Sequence, residues 1–188
     1  MQNSQGFSLL EVLVTIVLVT VGVLGMVALQ SKSIQYTQEA INRNAAINLA
    51  HELIEIMRAF RNDLRRNTPL PNGLNAGLKE NSVLYQADGG LKLNAAACPA
   101  SSIGQSLIQQ ANCWLKQVEA TLPDASALTE SFVLCPSYKL DSSQRPVCAG
   151  SSYTGSTLAI QLAWRSKEAV CGEEFNSHIC TFTTRVEL

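Results

Sequence analysis

Residues 7–29 read FSLLEVLVTIVLVTVGVLGMVAL, and Glu11 is the only charged residue among them. As a helix this stretch extends about 34 Å at 1.5 Å per residue, enough to cross a hydrocarbon core about 30 Å thick. A removable secretory signal would show a basic n-region, a shorter apolar run and a small-x-small site. Here the run is longer, no basic residue stands in front of it, and no convincing small-x-small site follows. The polar hexapeptide MQNSQG, residues 1–6, precedes the run directly, with Gly6 at the boundary. The unusual residue is Glu11. A carboxylate inside hydrocarbon costs about 2.5–3.5 kcal/mol on insertion scales, so it either reaches toward the headgroups or serves a partner.

Beyond the run the helical period continues. Ile34, Ile41, Ala45, Leu49, Leu53, Met57, Phe60 and Leu64 recur at helical spacing, with Lys32, Glu39, Arg43, Glu52, Glu55, Arg58 and Arg61 between them. No proline occurs before Pro69 and Pro71, which stop the pattern. The expectation is one helix from about Phe7 to Arg66, roughly 90 Å long, its first half apolar throughout and its second half laying a stripe on a globular head. A coiled-coil stalk is the plain alternative. The single short amphipathic stretch, followed by a cysteine-bearing region, speaks against it.

All six cysteines, Cys98, Cys113, Cys135, Cys148, Cys171 and Cys180, lie in the second half. An even count confined to such a region reads as a disulfide framework in an oxidising compartment. Pairing of sequence neighbours is the simplest of the possibilities, because each bridge closes a short loop worth roughly 2–3 kcal/mol. A zinc site is the competing reading, but there is no Cys-x-x-Cys pair, and His178 is the only histidine near a cysteine. No metal or cofactor is expected. With 14 basic and 15 acidic residues the chain has no basic excess for nucleic acid.

The head reads as α+β. Pro69 to Ala100 is loop-like, with a short strand at Val83–Gln86, and a second helix fits Ile103–Thr121 and ends at Pro123. Strands are expected at Ser131–Cys135, Thr157–Arg165 and Thr181–Leu188, the last two with alternating apolar residues. Between them Ser137–Ser156 is rich in Ser, Pro and Gly. The organisation is thus a leader at 1–6, an apolar helix at 7–30, its amphipathic continuation at 31–67, and a disulfide-stapled antiparallel head at 68–188.

The junction Gly6|Phe7-Ser8-Leu9-Leu10-Glu11 resembles the cleavage motif of type IV prepilins and type II secretion pseudopilins. In that family a membrane-embedded aspartyl peptidase cuts after the glycine and methylates the new N-terminus. The resemblance implies a scissile bond between Gly6 and Phe7, N-methylation of Phe7, and an assembly role for Glu11. The new amine on Phe7 would lie one helical turn from Glu11 of its own chain. In a filament it would pair instead with Glu11 of a neighbour, fixing axial register. Further segments, GVLGMVALQ (22–30), SIQYT (33–37), ANCWLKQVEATLP (111–123), LAIQLAWR (158–165) and CTFTTRVEL (180–188), are similar to minor pilins of the PilV type in type IVa pili. That resemblance implies a low-abundance subunit of a complex that primes pilus assembly and travels to the tip, supporting twitching motility and adhesion. The implied partners are other minor pilins, the major pilin, a tip adhesin and the prepilin peptidase. The implied location is the inner membrane, with a single pass and a periplasmic head, and then the pilus.

Two features depart from the pattern. The leader has no basic residue while Lys32 and Arg43 follow the span, which weakly favours the reverse orientation. The cysteines and the Gly6 junction outweigh that count. Many major pilins also carry a proline about 21 residues past the cleavage site, where the helix melts; here Gly22 and Gly25 are the only weak points. A type II secretion pseudopilin and a membrane-tethered binding module remain as alternatives. An enzyme finds little support: there is no Gly-x-Ser-x-Gly, P-loop or His-Glu-x-x-His, His51 sits beside Glu52 and Glu55 on a solvated helix face, and Asp124, Glu130 and Asp141 lack a partner histidine.

Overall fold

The computed structural model describes residues 9–66, 77–99, 106–149, 153, 155–167, 171 and 178–188. Helix α1 runs Leu9–Ala59 without interruption. It crosses Gly22 and Gly25, whose surroundings are open, with no kink or melted turn. Thr15 and Thr20 donate their hydroxyls to the Val12 and Val17 carbonyls at 2.8 Å, which satisfies both groups inside the helix. Packing divides the chain into two units, Met1–Glu39 and Ala40–Leu188. In the first, the apolar side chains from Leu9 to Leu29 are bare, and the helix is long and apolar enough to cross a membrane.

In the second unit α1 contributes one apolar face. Ala46, Leu49, Ala50, Leu53, Ile54 and Met57 are buried, at the i, i+3, i+4, i+7 spacing of a helix stripe. Ile34 and Ile41, which the periodicity assigns to the same stripe, are 60% exposed. The helix also ends earlier than expected. Phe60 leaves helical geometry at φ −116°, ψ 31°, and a separate turn, α2, covers Arg61–Leu64. The break lets Leu64 enter the core and carries the chain into a β-bridge between Arg65 and Leu78. Arg65 then donates to the Leu188 carbonyl at 2.8 Å. The prolines at 69 and 71 lie outside the described residues.

Helix α3 is Leu107–Thr121, capped by Ser106, whose hydroxyl accepts from the Gln109 amide at 3.4 Å. The expected start at Ile103 falls outside the described residues. Its buried face includes Leu107, Ala111, Trp114, Leu115 and Val118, and the Trp114 indole donates to the Leu49 carbonyl of α1 at 2.8 Å. After Pro123 the chain turns through Asp124 at φ 54°, held by its carboxylate against Arg165 at 3.1 Å, into a 3-10 segment, Ala125–Ser131. That segment occupies the start of the strand expected at Ser131, so β1 begins later, at Val133–Pro136.

The short hairpin β2, Lys139–Leu140, and β3, Pro146–Val147, lies inside the Ser-, Pro- and Gly-rich stretch at 137–156. Asp141 builds its turn by accepting from the Ser143 and Arg145 amides at 2.9 and 2.8 Å. Strand β4 is Thr157–Arg165 and β5 is Ile179–Glu187; the sheet order is β1-β4-β5, antiparallel throughout. Leu158, Ile160, Leu162 and Trp164 enter the same core as the α1 and α3 faces. The intervening Gln161 is buried as well, because the Ala125–Ser131 segment packs on β4; its amide donates to the Ser131 carbonyl at 2.9 Å. The stretch Val83–Gln86 forms no strand. It carries a single bridge, Tyr85 to Leu91, closing a turn around Gly89.

Three disulfides staple these parts: Cys98–Cys113, Cys135–Cys148 and Cys171–Cys180. These are the sequence-neighbour pairs, and they commit every sulfur, so none is available as a thiolate for zinc. Gly89 packs against the second bridge. Its φ is +94°, and a Cβ there would fall 2.7 Å from Val133 Cγ1 and 2.8 Å from Cys148 Sγ. Gly89→Ala therefore combines a left-handed backbone with overpacking and is expected to destabilise the head by roughly 2–4 kcal/mol. Denaturant unfolding of the full chain in micelles would show it; an unchanged midpoint would contradict this placement of Gly89.

Tyr85 supplies a pH-dependent term. It is fully buried, donates to the Lys79 carbonyl at 2.9 Å, and burial pushes its hydroxyl up from 10.0 to about 12, against a weaker lowering by Ser82. Above pH ~10 the unfolded chain releases this proton while the folded chain keeps it, so the stability fully present below that pH is lost as pH rises toward ~12. The loss attributable to Tyr85 is on the order of 2–3 kcal/mol. Tyr85→Phe is expected to flatten the decline, measured as the difference between the two stability curves.

Candidate functional site

The functional residues implied by the sequence lie at the N-terminus. Gly6 and Phe7, the expected cleavage and methylation positions, are outside the described residues. Glu11 stands in the first turn of α1 with its side chain exposed. Around it Leu9, Leu10, Val12, Leu13 and Val14 are all exposed, so the carboxylate sits in a sleeve of bare aliphatic side chains. Such a surface has two uses: solvation by lipid, or packing against other apolar helices. Only a partner cation makes the second comfortable for Glu11.

The residues weighed for catalysis are not brought together. His51, Glu52 and Glu55 are exposed on α1, and Glu55 pairs with Arg58 at 2.8 Å. Asp124 is engaged by Arg165, Asp141 by its own turn, and His178 is exposed just before β5. Among the described residues these form no nucleophile–base or acid–base constellation. The cysteines act as structure: Cys98–Cys113 ties the segment after Ala95–Ala97 to α3, and Cys135–Cys148 ties β1 to the end of the β2–β3 hairpin. The Asp-Gly-Gly at 88–90, one of the turn signals of the loop-like segment, forms the turn around Gly89 that the Tyr85–Leu91 bridge closes.

A long, apolar N-terminal helix continuing into a small antiparallel sheet with disulfides is a type IV pilin-like α+β fold. Comparison with known families agrees at the N-terminus. Residues 1–27 match the model described as Prokaryotic N-terminal methylation motif, and residues 28–72 match the one described as Type IV pilin Tt1218. The two matches adjoin and together span residues 1–72. No curated protein and no solved structure gives a significant match to the chain. The motif and the bare helix fit anchoring in the inner membrane and in a pilus, with processing by a prepilin peptidase.

Proposed function

We propose that the chain is a minor type IV pilin of the PilV kind. It is cut between Gly6 and Phe7, methylated on Phe7, and assembled through α1 with the Phe7 amine of one subunit meeting Glu11 of another. With other minor pilins it primes assembly of a filament built from the major pilin, travels to the tip and supports twitching motility and adhesion. It has structural rather than enzymatic work. The observation that carries the reading is Glu11, the lone charge of the apolar run 7–29, standing on α1 within the residues that match the methylation motif. The segments 111–123, 158–165 and 180–188 and the three disulfides favour a pilus subunit over a secretion pseudopilin.

The test is deletion of the gene in its own host, followed by complementation. Loss of surface pili and of twitching, restored by the wild-type chain, is expected. The protein should also appear in sheared pili as a trace beside the major subunit. Normal piliation with loss of a secreted protein would replace the proposal by the pseudopilin reading. Normal piliation and normal secretion would refute both and leave the tethered binding module.

A further inference from the structure

A cleft of about 480 Å³ opens on the head between the segment Gly90–Ala96, helix α3 and the 3-10 segment Ala125–Ser131. Its lining includes Leu91, Leu93 and Leu115, with Glu119 on one wall and Glu130 on the other. Leu91 and Leu93 are half-buried against the core, and Leu115 is part of it. Glu119 is half-buried, Glu130 is exposed, and neither carboxylate has a cationic partner among the described residues. No cation lines the cleft; of the two lysines adjacent in sequence to its floor, Lys92 is committed to the Ser82 carbonyl at 3.0 Å, and Lys116 is exposed on α3.

The walls are also fixed. The Asn112 side chain of α3 accepts from the Asn94 amide at 2.8 Å, and the Cys98–Cys113 bridge closes the same junction. A disulfide and a partly buried hydrogen bond thus hold the leucine-bearing segment at a set position on α3, so little ordering cost remains for an occupant. Two unpaired carboxylates above an apolar floor complement one chemistry: an aliphatic stem ending in a positive charge.

We propose that this cleft receives a lysine side chain from a neighbouring subunit, its methylenes on Leu91, Leu93 and Leu115 and its ammonium between Glu119 and Glu130. The identity of the partner rests on the filament-subunit reading; the chemistry of the cleft does not. The full chain in zwitterionic micelles, with labelled leucine methyls, is titrated with N-acetyl-lysine-N-methylamide and with its norleucine counterpart. The lysine compound should shift the Leu91, Leu93 and Leu115 methyls saturably. Each of Glu119→Gln and Glu130→Gln should weaken that binding by about fivefold, as expected for one partly exposed ion pair. Equal response to norleucine, or no saturable shift, overturns the cleft's assignment even if leader cleavage proceeds normally. Zero-length carbodiimide coupling of intact filaments then reads the partner. An isopeptide from Glu119 or Glu130 to a lysine of another subunit is expected; coupling only at other carboxylates of the chain overturns it.

Discussion

Replacing Glu11 by leucine is expected to leave membrane insertion and leader cleavage intact and to cut incorporation into filaments by about thirtyfold or more. Insertion should if anything become easier, because a carboxylate in hydrocarbon costs about 2.5–3.5 kcal/mol. In the proposed filament, assembly is where the group matters. Removing one partner of a desolvated charge pair costs about 2 kcal/mol or more, and the proposed Phe7 ammonium would then be left alone among aliphatic side chains. Neighbouring positions are no substitute: Leu9, Leu10, Val12, Leu13 and Val14 carry no polar atom beyond the backbone. Glu11→Asp keeps the charge on a shorter stem and should recover part of the loss. Quantification of the variant in sheared pili, against its own membrane pool, gives the result. Wild-type incorporation of the leucine variant would remove Glu11 from the mechanism.

The second large effect is in the head. Trp114 is among the largest fully buried side chains, and its indole nitrogen donates to the Leu49 carbonyl, tying α3 to α1 at the centre of the core. Trp114→Ala is expected to cost about 3–5 kcal/mol from lost burial and cavity. That is a large share of the 5–15 kcal/mol typical of a folded domain. Trp114→Phe keeps most of the volume but leaves the donor position empty, so a loss of about 1–2 kcal/mol is expected. Denaturant midpoints of the full chain in micelles, read under non-reducing conditions, give both numbers. A small effect from the alanine variant would mean that α1 and α3 are held together elsewhere.

Much of this arrangement was legible before any coordinates. The apolar run and its carboxylate, the stripe from Leu49 to Met57, the disulfide pairing and the bounds of β4 all follow from local signals. Those signals are unbroken hydrophobicity, a period of 3.6, short cysteine spacings, and alternation from Leu158 to Trp164. What was missed depends on contacts between distant segments. The break at Phe60 has no glycine or proline to announce it; it is imposed by Leu64 entering the core. Ile34 and Ile41 keep the helical period yet stay exposed, since periodicity reports a face and not what covers it. Gln161 looked like a solvent-side position of an alternating strand. It is buried because the Ala125–Ser131 segment, for which no regular element was expected before Ser131, lies over β4. The β2–β3 hairpin was hidden because its turn is built by Asp141 and by Gln144 at φ 59°, without glycine at the tip. At the N-terminus the resemblance to the prepilin junction carried the reading of Gly6 and Phe7, and Glu11 stood out as the lone charge of the apolar run. The cleft at Glu119 and Glu130 was not visible, because three separate segments make it.

The most direct measurement is a non-reducing intact mass of the protein made in its own host, with and without the prepilin peptidase. With the peptidase, loss of Met1–Gly6, gain of one methyl group, and six hydrogens missing for the three bridges are expected. Without it, the leader should remain and the methyl group should be absent. A full-length, unmethylated chain in the presence of active peptidase would contradict processing at Gly6–Phe7 and the pilin role built on it.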